Sequence, residues 1–399
     1  MLLACVLRAL TVAAKMKILL FFRVLLLWPF AQLYGLGVWL RNYAYKKGYF
    51  ETQKFAIPTI VIGNLIAGGS GKTPHAAWLL AQLLQAGLHP ALLSRGYGRA
   101  TKGFVLASKQ SSAAQIGDEP LMIYQRFAQQ QPTSPLPVAV CEQRTEGITQ
   151  LLQHYPNLNA IVLDDAYQHR ALEAHLYVLL TQYNRLFTAD YLLPAGNLRE
   201  PACAANRAQA VIVTKCPKNL SQHNKQKIIQ QLTPFLKQRQ PVFFTRYVYG
   251  QPYALHPSLN NNNNQPVFKG WHNYQAILLV CGIAQPKPLL QYLQSQLRLK
   301  NKQGQQVFIR FFADHHVYTS ANFAQIAHFC HKWQLNNPKN QQIAVVTTQK
   351  DAVKWQEATW PQGFNCPVWV QPIDLLFDDE QEAGQLTEMV LNCIRKANY

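Results

Sequence analysis

The feature that most constrains this chain is an apolar run, Ile57–Ile62, leading directly into Gly63-Asn64-Leu65-Ile66-Ala67-Gly68-Gly69-Ser70-Gly71-Lys72-Thr73. A helical pattern (AAWLLAQLLQAGL) then begins near Pro74. Strand, glycine-rich turn and helix in that order make an anion cradle. Glycines let successive backbone N–H groups converge, and the helix N-terminus adds its positive end. Gly68, Gly69, Ser70, Gly71, Lys72 and Thr73 are therefore the candidate phosphate-binding residues, with Lys72 reaching the β- and γ-phosphates and the Thr73 hydroxyl available to Mg²⁺. Pro74 is tolerated because the N–H it lacks would be unpaired in a first helical turn. The strict spacing wants glycine where Ile66 stands, and the competing reading is a glycine-rich turn that happens to contain Gly-Lys-Thr. A phosphate loop also needs an acidic group at a neighbouring strand end. Ala160–Leu163 followed by Asp164 and Asp165 supplies it, the alternative being an N-cap pair that opens the next helix.

Short apolar runs at 91–93, 138–141, 177–180 and 211–214 alternate with helical stretches near 119–130, 143–154 and 221–237. This alternation predicts βαβ units and a mostly parallel sheet with helices on both faces, a P-loop NTPase-like α/β fold. After Pro241 the strand-like Val242–Tyr249 precedes the tract Asn260–Asn264, which is too polar to bury and is expected to be a solvated loop. Alternation resumes at Ala276–Val280, with a helix from Pro288, a strand at 307–312, a helix from Ser320 and a strand at 343–347. The expected division is an N-terminal helical segment over 1–50, a P-loop domain over 51–240, an extended linker over 241–275 and a second, smaller α/β domain over 276–399. A length of 399 residues accommodates that number of units.

Charge narrows the partners. Lys and Arg total 38 against 19 Asp and Glu, a net +19, so the chain should be drawn to something anionic. No zinc-finger, RNA-recognition or dense basic-aromatic signature points to nucleic acid. The eight cysteines are scattered without a C-x-x-C pair, which fits a reducing compartment. His328, Cys330 and His331 do not make a metal site, because Cys330 points off the face shared by the two histidines and no fourth ligand follows.

The stretch Ile18–Leu40 is long and apolar but interrupted by Arg23, Pro29, Gln32, Gly35 and Gly37. Its flank mixes Arg41, Lys46 and Lys47 with Tyr43, Tyr45, Tyr49 and Phe50, as a segment lying on an anionic membrane surface requires. A buried core helix is the competing reading. A signal peptide is disfavoured by the lack of a small-residue cleavage site, and it would export a nucleotide site that needs cytosolic ATP. Met16 offers an alternative start, so residues 1–15 are open to question.

Taken together, IGNLIAGGSGKTP (62–74), LLSRGYGR (92–99), GDEP (117–120), LDDAYQHR (163–170), LLPAGNLREP (192–201), VTK (213–215), CGIAQP (281–286), ADHH (313–316) and TTQKDAVK (347–354) resemble the tetraacyldisaccharide 4′-kinases of lipid A biosynthesis. The resemblance implies a membrane-associated N-terminal helix, two α/β domains, and ATP-dependent phosphorylation of the 4′-hydroxyl of tetraacyldisaccharide 1-phosphate. It implies a place at the cytoplasmic face of the inner membrane of a Gram-negative-type bacterium. Lys72 and Thr73 would hold ATP and Mg²⁺, and Asp164 and Asp165 would position the metal. Asp118 would act as base, assisted by His315 in preference to His316, and Glu200 would be a further active-site carboxylate. Cys216 receives no role. By the residues alone Asp118 reads equally as the N-cap of a helix beginning Glu119-Pro120, and His315 as a surface or core histidine. Arg95 and Arg99 are further cations that could neutralise phosphate charge. The alternative function is a membrane-associated P-loop GTPase or regulatory NTPase. Against it, Thr214-Lys215 is followed by Cys216-Pro217 rather than by the aspartate that grips guanine.

Overall fold

The computed structural model describes residues 2–130, 135–238, 240–255, 267–298, 305–338, 342–356 and 358–397, with side chains described from Phe22 onward. The Asn260–Asn264 tract lies outside these residues. The first half of the chain runs α1 (Leu2–Lys46), β1 (Thr59–Asn64), α2 (Lys72–Gln85), β2 (Pro90–Ser94), β3 (Val105–Leu106), α3 (Ala113–Ile116) and α4 (Asp118–Gln130). It continues with β4 (Val138–Val140), α5 (Arg144–His154), β5 (Ala160–Asp164), β6 (Leu176–Gln182), β7 (Ala210–Thr214), α6 (Gln222–Leu232) and β8 (Val242–Tyr249). The remainder is β9 (Tyr253–Ala254), β10 (Ala276–Cys281), α7 (Lys287–Arg298), β11 (Gln306–Phe311), α8 (Ser320–Asn336) and β12 (Ile343–Thr348). It ends in α9 (Gln349–Trp355), β13 (Val368–Gln371), β14 (Ile373–Phe377) and α10 (Glu380–Ala397).

These elements form two compact units, each assembled from separated stretches of chain. The first takes Met1–His89, Asn157–Arg246 and Phe377–Tyr399, the second Pro90–Pro156 and Tyr247–Leu376.

In the first unit five parallel strands stand in the order β8-β7-β6-β1-β5. Every residue of β1, β5 and β7 is buried, which is why these strands read as continuous apolar runs instead of alternating ones. Register pairs Ile62 with Asp164, Asn64 with Leu180 and Gln182 with Thr214. The carboxyl ends of β1, β5, β6 and β7 therefore share one sheet edge, where ligands of open parallel sheets gather. α2 buries Ala76, Leu79, Leu80 and Leu83 at helical spacing and packs on β1 and β5. At Gly63 a Cβ would lie 2.5 Å from the Tyr167 Cβ, so only glycine lets the turn after β5 come this close.

α1 belongs to this unit and explains its own interruptions. Ala31, Gly35 and Val38 recur on one helical face, where Ala31 and Val38 are buried and a Cβ added to Gly35 would meet Leu192 at 2.9 Å. Arg23 donates to the carbonyls of Pro194 and Gly196 at 3.0 and 3.1 Å. Among the described side chains from Phe22 onward, several large apolar groups are open: Leu26 is 74% and Leu33 66% exposed, and Leu25, Trp28, Phe30 and Trp39 are each more than half exposed. Phe22–Lys46 is long and apolar enough to cross a membrane.

In the second unit β11-β10-β12-β13 are parallel and β9 adds an antiparallel edge. β10 shows the period of two directly: Ala276, Leu278 and Val280 pack with Phe323 and Ile326 of α8 and Trp355 of α9, whereas Ile277, Leu279 and Cys281 pack with Leu289, Leu293 and Leu297 of α7. Helices thus cover both faces. The same unit holds β2 parallel to β4, with β3 antiparallel beside it.

Candidate active site

In the first unit the residues after β1 form a cradle. Gly68, Gly69 and Gly71 all have positive φ (87°, 47° and 88°), a conformation costly for side-chain-bearing residues. Gly71 is the N-cap of α2, so Lys72 and Thr73 occupy its first turn. Ser70 is buried, and its Oγ has no hydrogen-bond partner. That orphaned hydroxyl, set among glycine amides at a helix N-terminus, fits an anion that would satisfy it. Ile66, where glycine was expected, is buried in an extended stretch: it bridges Leu198, while Ala67 N–H donates to Asn197 O and Arg199 N–H to Leu65 O. This position is paired backbone, so a side chain is accommodated.

Lys72 Nζ lies 3.3 Å from Asn64 Oδ1 and 3.5 Å from Asp165 Oδ1. Thr73 Oγ1 donates to Asp164 Oδ2 at 3.3 Å. Asp164 ends β5, and Asp165 begins the turn with φ 54°. No helix follows before β6, so the two carboxylates do not cap one. Arg199 spans this group, donating to Asp165 Oδ1 at 3.2 Å and to Asn64 Oδ1 at 3.1 Å. A hydroxyl and two carboxylates beside a lysine form a hard-oxygen donor set of the kind that holds Mg²⁺ next to phosphate. Glu200 lies deeper. It is fully buried and accepts from Arg41 at 3.0 Å, Asn42 at 3.2 Å and Arg207 at 2.5 Å, so it ties α1 to the loop that carries Arg199.

The second unit holds a separate polar cluster at the start of α4. Asp118 is buried; its Oδ1 accepts the Glu119 N–H at 2.9 Å, and its Oδ2 lies 3.0 Å from His315 Nδ1 and 3.6 Å from Lys354 Nζ. The carboxylate thus touches its helix terminus and pairs with imidazole as well. His315 has φ 59°; with Asp165 and Lys215 it completes the set of non-glycine positive-φ residues among those described. Its Nε2 is 3.0 Å from Lys350 Nζ. With the proton on Nδ1, the ring donates to Asp118 and accepts from Lys350. Lys350 also donates to Glu119 at 3.2 Å and Asp314 at 3.0 Å.

Burial by itself would raise the Asp118 pKa, but the His315 hydrogen bond and the charges of Lys350, His315 and Lys354 hold it below the ordinary carboxylate value. The bond to Asp118 raises His315 against the effect of its partial burial. Asp118, Glu119 and His315 bring metal-type donor atoms within 4.8 Å of one another, but the Lys350 ammonium bonds Glu119 and His315 and neutralises the group. His316 faces elsewhere, stacked on Phe312 and 3.1 Å from Asn322 Oδ1. Arg99 is committed to Glu142 at 2.6 Å, whereas Arg95 is exposed. His328 and His331 are exposed, while Cys330 is in the core.

Arg199, Lys350 and Lys354 were not singled out by the sequence reading. All three fall inside quoted motifs, and Lys350 and Lys354 stand at i, i+4 on α9. That spacing on one helix face was the available signal.

Fold and site together define a P-loop α/β phosphotransferase. A family model described as LpxK, tetraacyldisaccharide-1-P 4′-kinase, matches residues 23–392, and the chain belongs to this family. Among curated relatives, the tetraacyldisaccharide 4′-kinase of Flavobacterium johnsoniae is 39% identical over 84% of this chain and 88% of that protein. The one from Phocaeicola vulgatus is 36% identical over 94% and 97%. A crystal structure of LpxK from Aquifex aeolicus, described as an "apo" form in complex with ATP, is similar with a TM-score of 0.63 and 25% identity, covering 94% of this chain and 99% of that one.

Proposed function

We propose that the protein transfers the γ-phosphoryl group of ATP, with Mg²⁺, to the 4′-hydroxyl of tetraacyldisaccharide 1-phosphate, giving the 1,4′-bisphosphorylated lipid at the cytoplasmic face of the inner membrane. The observation that carries this reading over a nucleotide switch is the Asp118–His315 pair at 3.0 Å. A GTPase has no need of a buried, ionised carboxylate with an imidazole behind it, whereas a sugar hydroxyl, a poor nucleophile at neutral pH, does.

The amides of residues 68–73 cradle the triphosphate, and Lys72 neutralises charge between its β- and γ-groups. Thr73, Asp164 and Asp165 would hold Mg²⁺, which when bound supplies further neutralisation of phosphate oxygens. Asp118 accepts the hydroxyl proton. His315 orients that carboxylate through its Nδ1–H, and Lys350, bonded to Nε2, holds the ring in place. Glu200 is a positioning residue that secures α1 against Arg199 and its neighbours.

α1 lies on an anionic membrane surface and does not cross it. From Arg23 to Arg41, roughly 27 Å of helix, one face is bonded to the protein while Leu25, Leu26, Trp28, Phe30 and Leu33 stay open to lipid. The net charge of +19 favours the same surface and a phosphorylated acceptor. Incubating the full chain with γ-labelled ATP and the disaccharide 1-phosphate in mixed micelles should yield a labelled bisphosphorylated lipid. Label released only as inorganic phosphate, with or without the lipid, would favour the NTPase alternative.

A further inference from the structure

Thr214-Lys215, which ends the VTK motif after β7, and His75 on α2 take no part in the chemistry described so far. Their side chains end on consecutive carbonyls of the phosphate loop. Lys215 Nζ donates to Gly69 O, Thr214 Oγ1 donates to Ser70 O at 2.9 Å, and His75 Nδ1 lies 2.7 Å from Gly71 O. Thr214 and His75 are buried, and Lys215 is half-buried with φ 58°. The other ring nitrogen of His75, Nε2, is 3.0 Å from Thr245 Oγ1 on β8. A carbonyl can only accept, so the His75 proton is on Nδ1 and Nε2 accepts from the Thr245 hydroxyl.

The consequence follows from the peptide plane. In a trans peptide the C=O of one residue and the N–H of the next point in opposite directions within one rigid unit. Holding the carbonyls of Gly69, Ser70 and Gly71 from behind therefore aims the N–H groups of Ser70, Gly71 and Lys72 to the opposite side. We infer that Thr214, Lys215 and His75 are positioning residues that set the phosphate loop by gripping its carbonyls, so that its amides face the nucleotide triphosphate. Glycine conformational freedom makes such bracing necessary, because Gly68, Gly69 and Gly71 impose almost no preference of their own.

The inference rests on reading this loop as the ATP site, and the test separates the two. In the full chain in detergent micelles, ATP Kd is measured directly, alongside KM and kcat for ATP and for the lipid acceptor. Thr214→Val, Lys215→Met and His75→Leu should each weaken ATP binding roughly tenfold, with acceptor KM little changed. Thr214→Ser and His75→Asn keep a donor for the same carbonyl and should recover most of the affinity. Wild-type ATP affinity in Thr214→Val and Lys215→Met would overturn the inference. So would Ser and Asn variants as impaired as Val and Leu, since that pattern reports packing alone. If His75→Leu does not fold, the near-isosteric Thr214→Val and Thr214→Ser pair decides. Lys72→Ala serves as reference: if it binds and uses ATP like wild type, the ATP reading itself has failed. If Lys72→Ala is impaired and the Thr214 pair is not, only the bracing role has failed.

Discussion

Asp118 keeps its charge in a place that would otherwise remove it. Burial favours the neutral acid, and the proton donated by His315 is the largest opposing influence. In the wild type the acidic limb of kcat should therefore lie below the ordinary carboxylate range. His315→Ala removes the hydrogen bond and leaves the burial, so Asp118 should hold its proton to higher pH. The acidic limb of the kcat–pH profile is then expected to move upward, and an unshifted limb would show that His315 does not govern this carboxylate. Lys72→Ala should lower turnover at saturating ATP by about 10²-fold or more, checked by steady-state kinetics with the lipid acceptor. At this scale the phosphate loop was legible because its chemistry is contiguous in sequence. The Asp118–His315 pair joins residues 197 positions apart, so family resemblance was needed to connect them. Their lysine partners on α9 went unassigned because charge at i, i+4 most often marks a solvated helix face.

Elements buried on both faces were the easiest to read. β5, β7 and β12, buried throughout, lie within a residue of their apolar runs. α10 was not recognised, since its buried face is only Leu386, Val390 and Ile394 in a stretch otherwise rich in Glu and Gln. The interruptions of α1 also looked like flaws, but Arg23 and Gly35 are where the helix meets its own unit. Two expectations follow. Gly63→Ala puts a Cβ against Tyr167 and should cost about 1–3 kcal/mol by overpacking, read from denaturant unfolding; unchanged stability would mean the turn after β5 can retreat freely. Replacing Leu26 and Leu33 by Asp should move the protein from anionic vesicles to the supernatant while far-UV circular dichroism stays the same. Undiminished co-sedimentation would show that the open face of α1 is not what meets lipid.

Across the whole molecule the chemistry is divided. Gly68–Thr73, Asp164 and Asp165 belong to one compact unit, and Asp118, His315 and Lys350 to the other. Both units are α/β, and the alternation that announced them was visible in the sequence. Their interleaving was not, because the chain passes from one to the other at 89–90 and at 156–157 within an unbroken alternation of helices and strands. This division makes the donor and acceptor halves separable by experiment. The most direct measurement is Asp118→Ala in the full chain, with kcat for lipid phosphorylation determined beside the ATP dissociation constant. The expected result is a kcat reduced by about 10²–10⁴-fold with ATP affinity essentially that of the wild type. A surviving kcat, or an ATP affinity that collapses with it, would contradict the assignment of Asp118 as the base on the sugar hydroxyl.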